Sequence, residues 1–369
     1  MISFYKKILF LDHFNRHGGA QEYVLDIAKQ MKAIGVDVVI PEVSLDTLKK
    51  YAGDLPTTGF TVLGKNFRNP LFYLQFIVSV FKLRKYLSEN STDIIHCNSI
   101  PALALAKVVK SKKHKIVFTC HDCNFNSFKI RIVKKCADAV ICVSETVNRY
   151  LQGYGVRQEK RVIYNGFTDT GPRQPRTDGK PNAEVTFGLI GRIEKWKGIH
   201  LYIEAARKVA ETAESRAKFF IIGSVGDSAY HAKLLKISSG KSYIEFKPFA
   251  TDKPEIYSML DAVVNSSIEI EPFGRTLVEA GLFGLPVIGP NQGGPAEIID
   301  DGVTGLLFET NCSDSLAQKM ELTAKSKTLR RTLGENGGRV CREKFPIDLI
   351  CREIIGFYQN IFEKNTSGK

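Results

Sequence analysis

The chain has 369 residues, 43% of them hydrophobic and 25% charged, proportions of a globular protein that exclude a disordered tail, a coiled coil or a collagen-like chain. Its formal charge of +13 is one-sided: residues 1–167 hold 25 Lys and Arg against 13 Asp and Glu, and the remainder is almost neutral. A basic half suggests a polyanionic partner, whether nucleic acid, anionic lipid headgroups or a phosphorylated substrate. At ~150 residues per domain the length fits two domains better than one. The most apolar window, Leu71 to Phe81, is shorter than the ~20 residues a spanning helix needs. The apolar run Ile8 to Leu11 stops at Asp12, too short for the h-region of a secretory signal, so a cytoplasmic protein is expected. The eight cysteines then read as free thiols. Cys120-His121-Asp122-Cys123 has a redox or zinc spacing, with Cys136 and Cys142 following, but lacks the second close pair of a structural zinc site.

In chain order, short runs rich in β-branched residues alternate with stretches of helical period, the pattern of βα units and a mostly parallel sheet. The first series of predicted strands is Ile8 to Leu11, Val36 to Ile40, Phe60 to Leu63, Asp93 to Cys97, Lys115 to Thr119, Ala139 to Val143 and Arg161 to Tyr164. Between the first two, Val24, Ile27, Ala28 and Met31 share one helical face, which packs on the sheet. Thr168 to Asn182 holds three prolines, two glycines and no aliphatic or aromatic side chain, and reads as a linker. A second series follows: Val185 to Ile190, Phe219 to Ile222, Tyr243 to Phe246, Ala262 to Asn265 and Pro286 to Gly289. The expected organisation is an α/β domain over 1–167, a linker over 168–182, a second α/β domain over 183–345, and an amphipathic helix over 346–369 that starts at Pro346. Ligands of open α/β sheets bind beyond the carboxyl ends of the strands, so the strand-to-helix turns are where chemistry is sought.

Three such turns stand out. His17-Gly18-Gly19-Ala20-Gln21 follows the first strand and opens a helix; its glycines let backbone approach a ligand, or serve the turn's own geometry. Gly191-Arg192-Ile193-Glu194-Lys195-Trp196-Lys197-Gly198 follows the first strand of the second series. There Arg192 and Lys197 can converge with a helix dipole on a diphosphate, or merely be solvated. The third turn, Glu271-Pro272-Phe273-Gly274-Arg275-Thr276, runs into a helix that carries Glu279. Amides of Gly274, Arg275 and Thr276 would be open to an anion or a sugar hydroxyl. The two glutamates can each accept from a pair of vicinal hydroxyls, or be ordinary acidic residues near a helix start.

Taken in order, Gly18-Gly19-Ala20-Gln21, Gly191-Arg192 to Lys197-Gly198, Glu271 to Glu279 with seven residues between, and Gly293-Gly294-Pro295-Ala296-Glu297 resemble the family-four retaining glycosyltransferases. Ser144-Glu145, Val162 to Gly166 and Asp301 to Gly305 extend the likeness over nearly the whole chain. The resemblance implies a GT-B fold, two Rossmann-like domains facing across a deep cleft, with the C-terminal helix returning to the N-terminal, acceptor-side domain. It implies that Gly18 and Gly19 let the backbone near the donor diphosphate, that Arg192 and Lys197 neutralise it, and that Phe273, Gly274, Arg275 and Thr276 line the donor site. By the same resemblance Glu271 holds the donor sugar, Glu279 the ribose, and His121 contacts the sugar near the reacting carbon. No cofactor or metal is implied beyond a UDP- or GDP-sugar donor, and no Asp-x-Asp occurs in the chain. Arg275, where relatives often carry an apolar residue, and Pro248, in place of a usual glycine, depart from the pattern.

The expected function is therefore retaining transfer of a hexosyl unit to a saccharide or polyprenyl-diphosphate-linked acceptor, in surface polysaccharide (O-antigen, capsule) or glycolipid synthesis. A nucleotide-sugar epimerase of the same fold is the alternative. A basic nucleic-acid-binding protein is disfavoured, since no recognised nucleic-acid motif accompanies the charge. Two basic clusters, Lys107 to Lys115 and Lys129 to Lys135, the second interleaved with Phe125, Phe128, Ile130 and Ile132, predict peripheral binding to the anionic inner face of the plasma membrane.

Overall fold

The computed structural model describes residues 6–12, 14, 18–61, 70–171, 184–212 and 217–363, with the side chains of residues 70–73 excepted. It divides into two compact units, residues 1–168 with 347–369, and residues 169–346. Unit 1 is built on β1 (Ile8–Leu11), β2 (Val38–Val39), β3 (Ile94–Cys97), β4 (Lys115–Cys120), β5 (Ala139–Cys142) and β6 (Glu159–Val162), in the order β2-β1-β3-β4-β5-β6. Unit 2 is built on β7 (Val185–Ile190), β8 (Ala217–Ile222), β9 (Ile244–Lys247), β10 (Ala262–Val264), β11 (Val287–Pro290) and β12 (Leu306–Phe308), in the order β12-β11-β10-β7-β8-β9. All neighbouring strands are parallel. The central strands are buried on both faces and are accordingly apolar runs, with His96 on β3 the exception among β1, β3 and β5.

The predicted strands recur with three differences. Phe60 and Thr61 lie outside any strand, and Leu63 falls outside the described residues. β6 sits two residues earlier than expected because it is an edge strand: Glu159, Lys160 and Arg161 are only partly covered, so its apolar signal is displaced toward the core residue Ile163. β12 was not expected; three residues give too short an apolar run to separate from a loop.

Strand order reverses between β1 and β3 in unit 1 and between β7 and β10 in unit 2. Right-handed crossovers put helices on opposite faces on either side of such a reversal. In unit 1 the helix Gly19–Ala33 lies on one face, and the helices Pro70–Glu89, Ile100–Val109 and Ser127–Cys136 lie side by side on the other. The helix Ile347–Glu363 packs beside Gly19–Ala33, its Ile350, Ile354, Phe357, Tyr358 and Ile361 sharing a core with Tyr23, Val24, Ile27 and Met31. Its entry is close: the Ile347 amide donates to the Phe167 carbonyl at 3.0 Å. A Cβ on Gly166 would sit 2.9 Å from Ile347 Cδ1 and 3.0 Å from its Cα, so a side chain there would push the start of this helix aside.

One polar link crosses this core. His96, fully buried on β3, meets the Tyr358 hydroxyl through Nδ1 and Thr119 Oγ1 through Nε2 at 2.5 Å. Burial, and then the neighbouring His121, push its pKa down to about 3, so the ring is neutral at physiological pH. An unfolded histidine titrates near 6.5, so below that pH the unfolded chain binds a proton that the folded one refuses until pH approaches 3. Stability should therefore fall as pH drops through this window, by up to about 1.4 kcal/mol per pH unit from this group. Urea titrations at pH 6.5 and 4.5 should show a smaller pH dependence for His96→Gln than for the unsubstituted protein; equal dependence would mean His96 is not held neutral.

Candidate functional site

In unit 2 the turns after β7 and β10 leave the sheet at its reversal point, where open α/β sheets place their ligands. The first is a 3₁₀ turn, Lys195–Lys197, ending at Gly198 with φ +62°. A Cβ on Gly198 would fall 2.0 Å from the Ser266 carbonyl oxygen, so a side chain is barred both by conformation and by space. The two turns are stitched together there. Ser266 Oγ donates to the carbonyls of Lys197 and Gly198 at 2.9 and 3.1 Å, and the Ile268 amide donates to Trp196 at 2.9 Å.

This stitching delivers Lys197 Nζ to Glu271 Oε2 at 2.5 Å. The same oxygen accepts from Ser267 Oγ at 3.0 Å and Asn265 Nδ2 at 3.2 Å. Burial alone would raise the Glu271 carboxyl, but the Lys197 charge and these hydrogen bonds outweigh it and hold the group below the ordinary carboxylate range. Glu271 is thus an ionised, buried carboxylate. Lys197 Nζ also lies 4.1 Å from the centre of the Trp196 ring. The Gly294 amide donates to the Glu271 carbonyl at 2.8 Å, which brings the turn after β11 to the same place.

A second cluster surrounds Glu279. Lys253 Nζ and the Tyr257 hydroxyl each donate to it at 2.8 Å, on Oε1 and Oε2 respectively, and Arg275 Nη2 lies 3.5 Å from Oε1. Arg275, the departure noted in the sequence, is therefore a helical i,i+4 partner of Glu279. Gly274 caps this helix in the left-handed region, φ +101°, and the amides of Arg275 and Thr276 that follow lie in its first turn, where N–H groups have no intrahelical acceptor.

Two of the expected site residues have side-chain partners of their own. The Phe273 ring is buried edge-on against Phe345, centroids 5.7 Å apart, so its side chain is core and only its backbone is at the turn. The Arg192 guanidinium pairs with Glu194, which also accepts from Trp196 Nε1 at 2.6 Å.

In unit 1 the strand order also reverses where the turn at Gly18 and Gly19 meets the end of β3. Gly18 caps the first helix, its carbonyl accepting from the Gln21 and Glu22 amides at 3.0 and 3.1 Å; Gln21 Nε2 donates to Asp12 at 3.0 Å. His17 lies outside the described residues. Asn98 bridges this turn to His121: its Nδ2 donates to the Ala20 carbonyl at 2.9 Å, and its Oδ1 lies 2.9 Å from His121 Nε2. A carbonyl accepts only, so the amide orientation is fixed and His121 must carry a proton on Nε2. The imidazole also meets Tyr23 edge-on, centroids 4.8 Å apart.

Asn98, Asn265, Ser267, Lys253 and Tyr257 escaped the sequence reading. The signal was present for Asn98 and for Asn265 to Ser267, polar residues directly after apolar parallel strands; Lys253 and Tyr257 join the cluster only through the fold. Cys120 is buried and its thiol is pushed up by that burial, with Sγ donating to the Asp122 carbonyl at 3.3 Å. Among the described residues no three His, Cys, Asp or Glu side chains gather in a metal-holding arrangement.

Two family descriptions divide the chain between them: Glycosyltransferase Family 4 matches residues 17–170, and Glycosyl transferases group 1 matches residues 172–340. Among characterised relatives, the chain is 26% identical over 263 residues to the capsular polysaccharide biosynthesis glycosyltransferase CapM of Staphylococcus aureus, covering 66% of this chain and 68% of that one. It is 25% identical over 308 residues to the N-acetyl-alpha-D-glucosaminyl L-malate synthase of Bacillus anthracis, covering 78% and 80%. Among solved structures, HepE of Anabaena in complex with UDP and glucose superposes with a TM-score of 0.80 at 23% identity, covering 96% of this chain and all of that one. Sucrose-phosphate synthase of Thermosynechococcus elongatus gives 0.81 at 18%, covering 97% and 100%. With two parallel six-stranded sheets, the ordered turns at their reversal points and these matches, the chain belongs to the family-four glycosyltransferases of GT-B fold.

Proposed function

We propose that the protein is a retaining, metal-independent hexosyltransferase that takes a UDP- or GDP-sugar and extends a saccharide or polyprenyl-diphosphate-linked acceptor in capsule, O-antigen or glycolipid synthesis. The observation that carries this reading is the buried Lys197–Glu271 pair with Asn265 and Ser267 at the carboxyl ends of β7 and β10. Three donors converge on Oε2 and keep the carboxylate ionised, which suits it to accept from hydroxyls of a bound sugar. Lys197, one step from Glu271, supplies positive charge for the diphosphate, and Arg192 does so after exchanging Glu194 for phosphate. The Arg275 and Thr276 amides add the donors of a helix start. Glu279, oriented by Lys253, Tyr257 and Arg275, is placed to accept from a ribose. Gly18, Gly19 and His121 keep the donor contacts that the resemblance implies for them.

In this reading the acceptor hydroxyl forms its bond to the anomeric carbon on the face from which the diphosphate departs. Its proton passes to a donor phosphate oxygen, and configuration is retained. The absence of Asp-x-Asp from the sequence leaves charge neutralisation to lysine, arginine and amides, the preorganised stabilisation that contributes most to such reactions. Relatives named for capsular polysaccharide and lipopolysaccharide core synthesis support a surface-polysaccharide product, and with it a place of work at the inner face of the plasma membrane. The epimerase alternative draws no support from these relatives.

A thermal-shift series of UDP, GDP and ADP should show UDP or GDP raising the midpoint, since a ligand of the native state stabilises by RT ln(1 + [L]/Kd); no shift with either would remove the donor assignment. Glu271→Ala should lower turnover by about 10²-fold or more while the nucleoside diphosphate still shifts the midpoint. Full turnover in that variant would take Glu271 out of the site. Lys197→Ala should lower turnover similarly and also destabilise the protein by about 3 kcal/mol, because it leaves a buried carboxylate without its partner; calorimetry with and without the nucleotide separates the two effects. Product analysis with donor alone checks the alternative: an epimerised nucleotide sugar without transfer would replace the present reading.

A further inference from the structure

The helix Pro70–Glu89 is apolar on two faces. Ser79, Val80, Leu83 and Leu87 are buried against unit 1, which accounts for one stripe at spacings of three and four. On the opposite side Leu74, Ile77, Val78 and Phe81 repeat the same spacing and are 60, 53, 43 and 67% exposed. A surface helix ordinarily presents polar residues there, and a contiguous exposed apolar stripe marks an interaction surface. Exposed Val108 and Phe128 lie on the two helices beside it, and the Arg84 guanidinium reaches the Val108 carbonyl at 3.2 Å, joining the first two helices. By sequence this role fell on Phe125, Phe128, Ile130 and Ile132; Phe128 is exposed, whereas Phe125 and Ile130 are buried and Ile132 is half-buried.

Charge identifies the occupant. The three helices Pro70–Glu89, Ile100–Val109 and Ser127–Cys136 carry eight Lys and Arg and a single carboxylate, Glu89. The helices on the other face of the same sheet, Gly19–Ala33, Asp46–Ala52 and Ile347–Glu363, carry six carboxylates and five Lys and Arg. The excess charge of unit 1 is therefore concentrated on the face that bears the apolar stripe. Among the described residues no helix is long and apolar enough to cross a membrane. An apolar stripe flanked by cations suits a helix that lies in the headgroup plane and sinks its side chains to the acyl boundary.

The geometry points to this three-helix face as the surface by which the enzyme docks on an anionic bilayer, with Leu74, Ile77, Val78 and Phe81 inserted and the lysines and arginines on the headgroups. This rests on the reading that the protein works on a lipid-linked acceptor at the inner leaflet, and it names the part of the chain that makes the contact. The test is co-sedimentation of the full chain, with no donor or acceptor present, on phosphatidylcholine vesicles with and without 30% phosphatidylglycerol, ~30% being on the order of a strongly anionic leaflet. Binding is expected to the anionic vesicles and to weaken with salt. Leu74→Gln/Ile77→Gln/Phe81→Gln should reduce it by about tenfold or more, and Lys82→Glu/Lys85→Glu by a comparable factor, with the thermal midpoint and the nucleotide shift unchanged in both. Anionic-vesicle binding that is absent in the unsubstituted protein, or equal in the triple-Gln variant, would overturn the proposal. So would a change from dimer to monomer by light scattering in that variant, which would assign the stripe to a second copy of the chain. Because the assay contains no sugar donor, its outcome is independent of whether the transferase chemistry is right.

Discussion

The buried ion pair between Lys197 and Glu271 is the constraint around which unit 2 is arranged. Taking both charges out of water is costly, and attraction between them offsets that cost only with good geometry and with the remaining polar groups satisfied. The fold meets this condition through backbone. Gly198 in the left-handed region allows the 3₁₀ turn to lie against Ser266, whose hydroxyl fixes two carbonyls of that turn, and Asn265 and Ser267 then face the carboxylate from the same short loop. The Gly294 amide closes the arrangement from a third turn. Three turns thus agree on the position of Glu271. A carboxylate held in this way has little freedom to rearrange.

Unit 1 depends on a different economy. One face of its sheet is covered by the helices Gly19–Ala33, Asp46–Ala52 and Ile347–Glu363, which share a core, and the neutral His96 ties the last of these to the sheet through Tyr358 and Thr119. The opposite face is covered by three helices that keep cations and an apolar stripe outward. One face is thus closed by packing, and the other leaves apolar side chains exposed. The carboxyl ends of its central strands carry the turn at Gly18, Asn98 and His121, where a single amide orientation settles which imidazole nitrogen holds its proton.

Much of this was legible beforehand. Uniform apolar runs such as Ile8–Leu11 and Ala139–Cys142 are recognisable because strands buried on both faces admit few polar residues, and the turns after them carry glycines and charges that a core would not. Edge strands were less legible: Glu159 to Val162 is half exposed, so its polar residues hide it. Apart from helical neighbours such as Arg275 and Glu279, side-chain partners were not legible. Nothing local separates Arg192, engaged by Glu194 two residues on, from Lys197, engaged by Glu271 seventy-four residues on. Phe273 sits within a turn of functional residues, yet its ring is core, because an aromatic beside glycine satisfies either role until Phe345 is seen against it.

By itself, then, the order of residues determined that there are two parallel-sheet domains and which turns at the strand ends carry charge and glycine, since periodicity and turn chemistry are local properties of the chain. The tertiary structure alone decided which charges meet, which apolar residues face inward, and on which side of the first sheet the cations collect. Those outcomes depend on strand order, and strand order is set by contacts between segments far apart in sequence that no local pattern records.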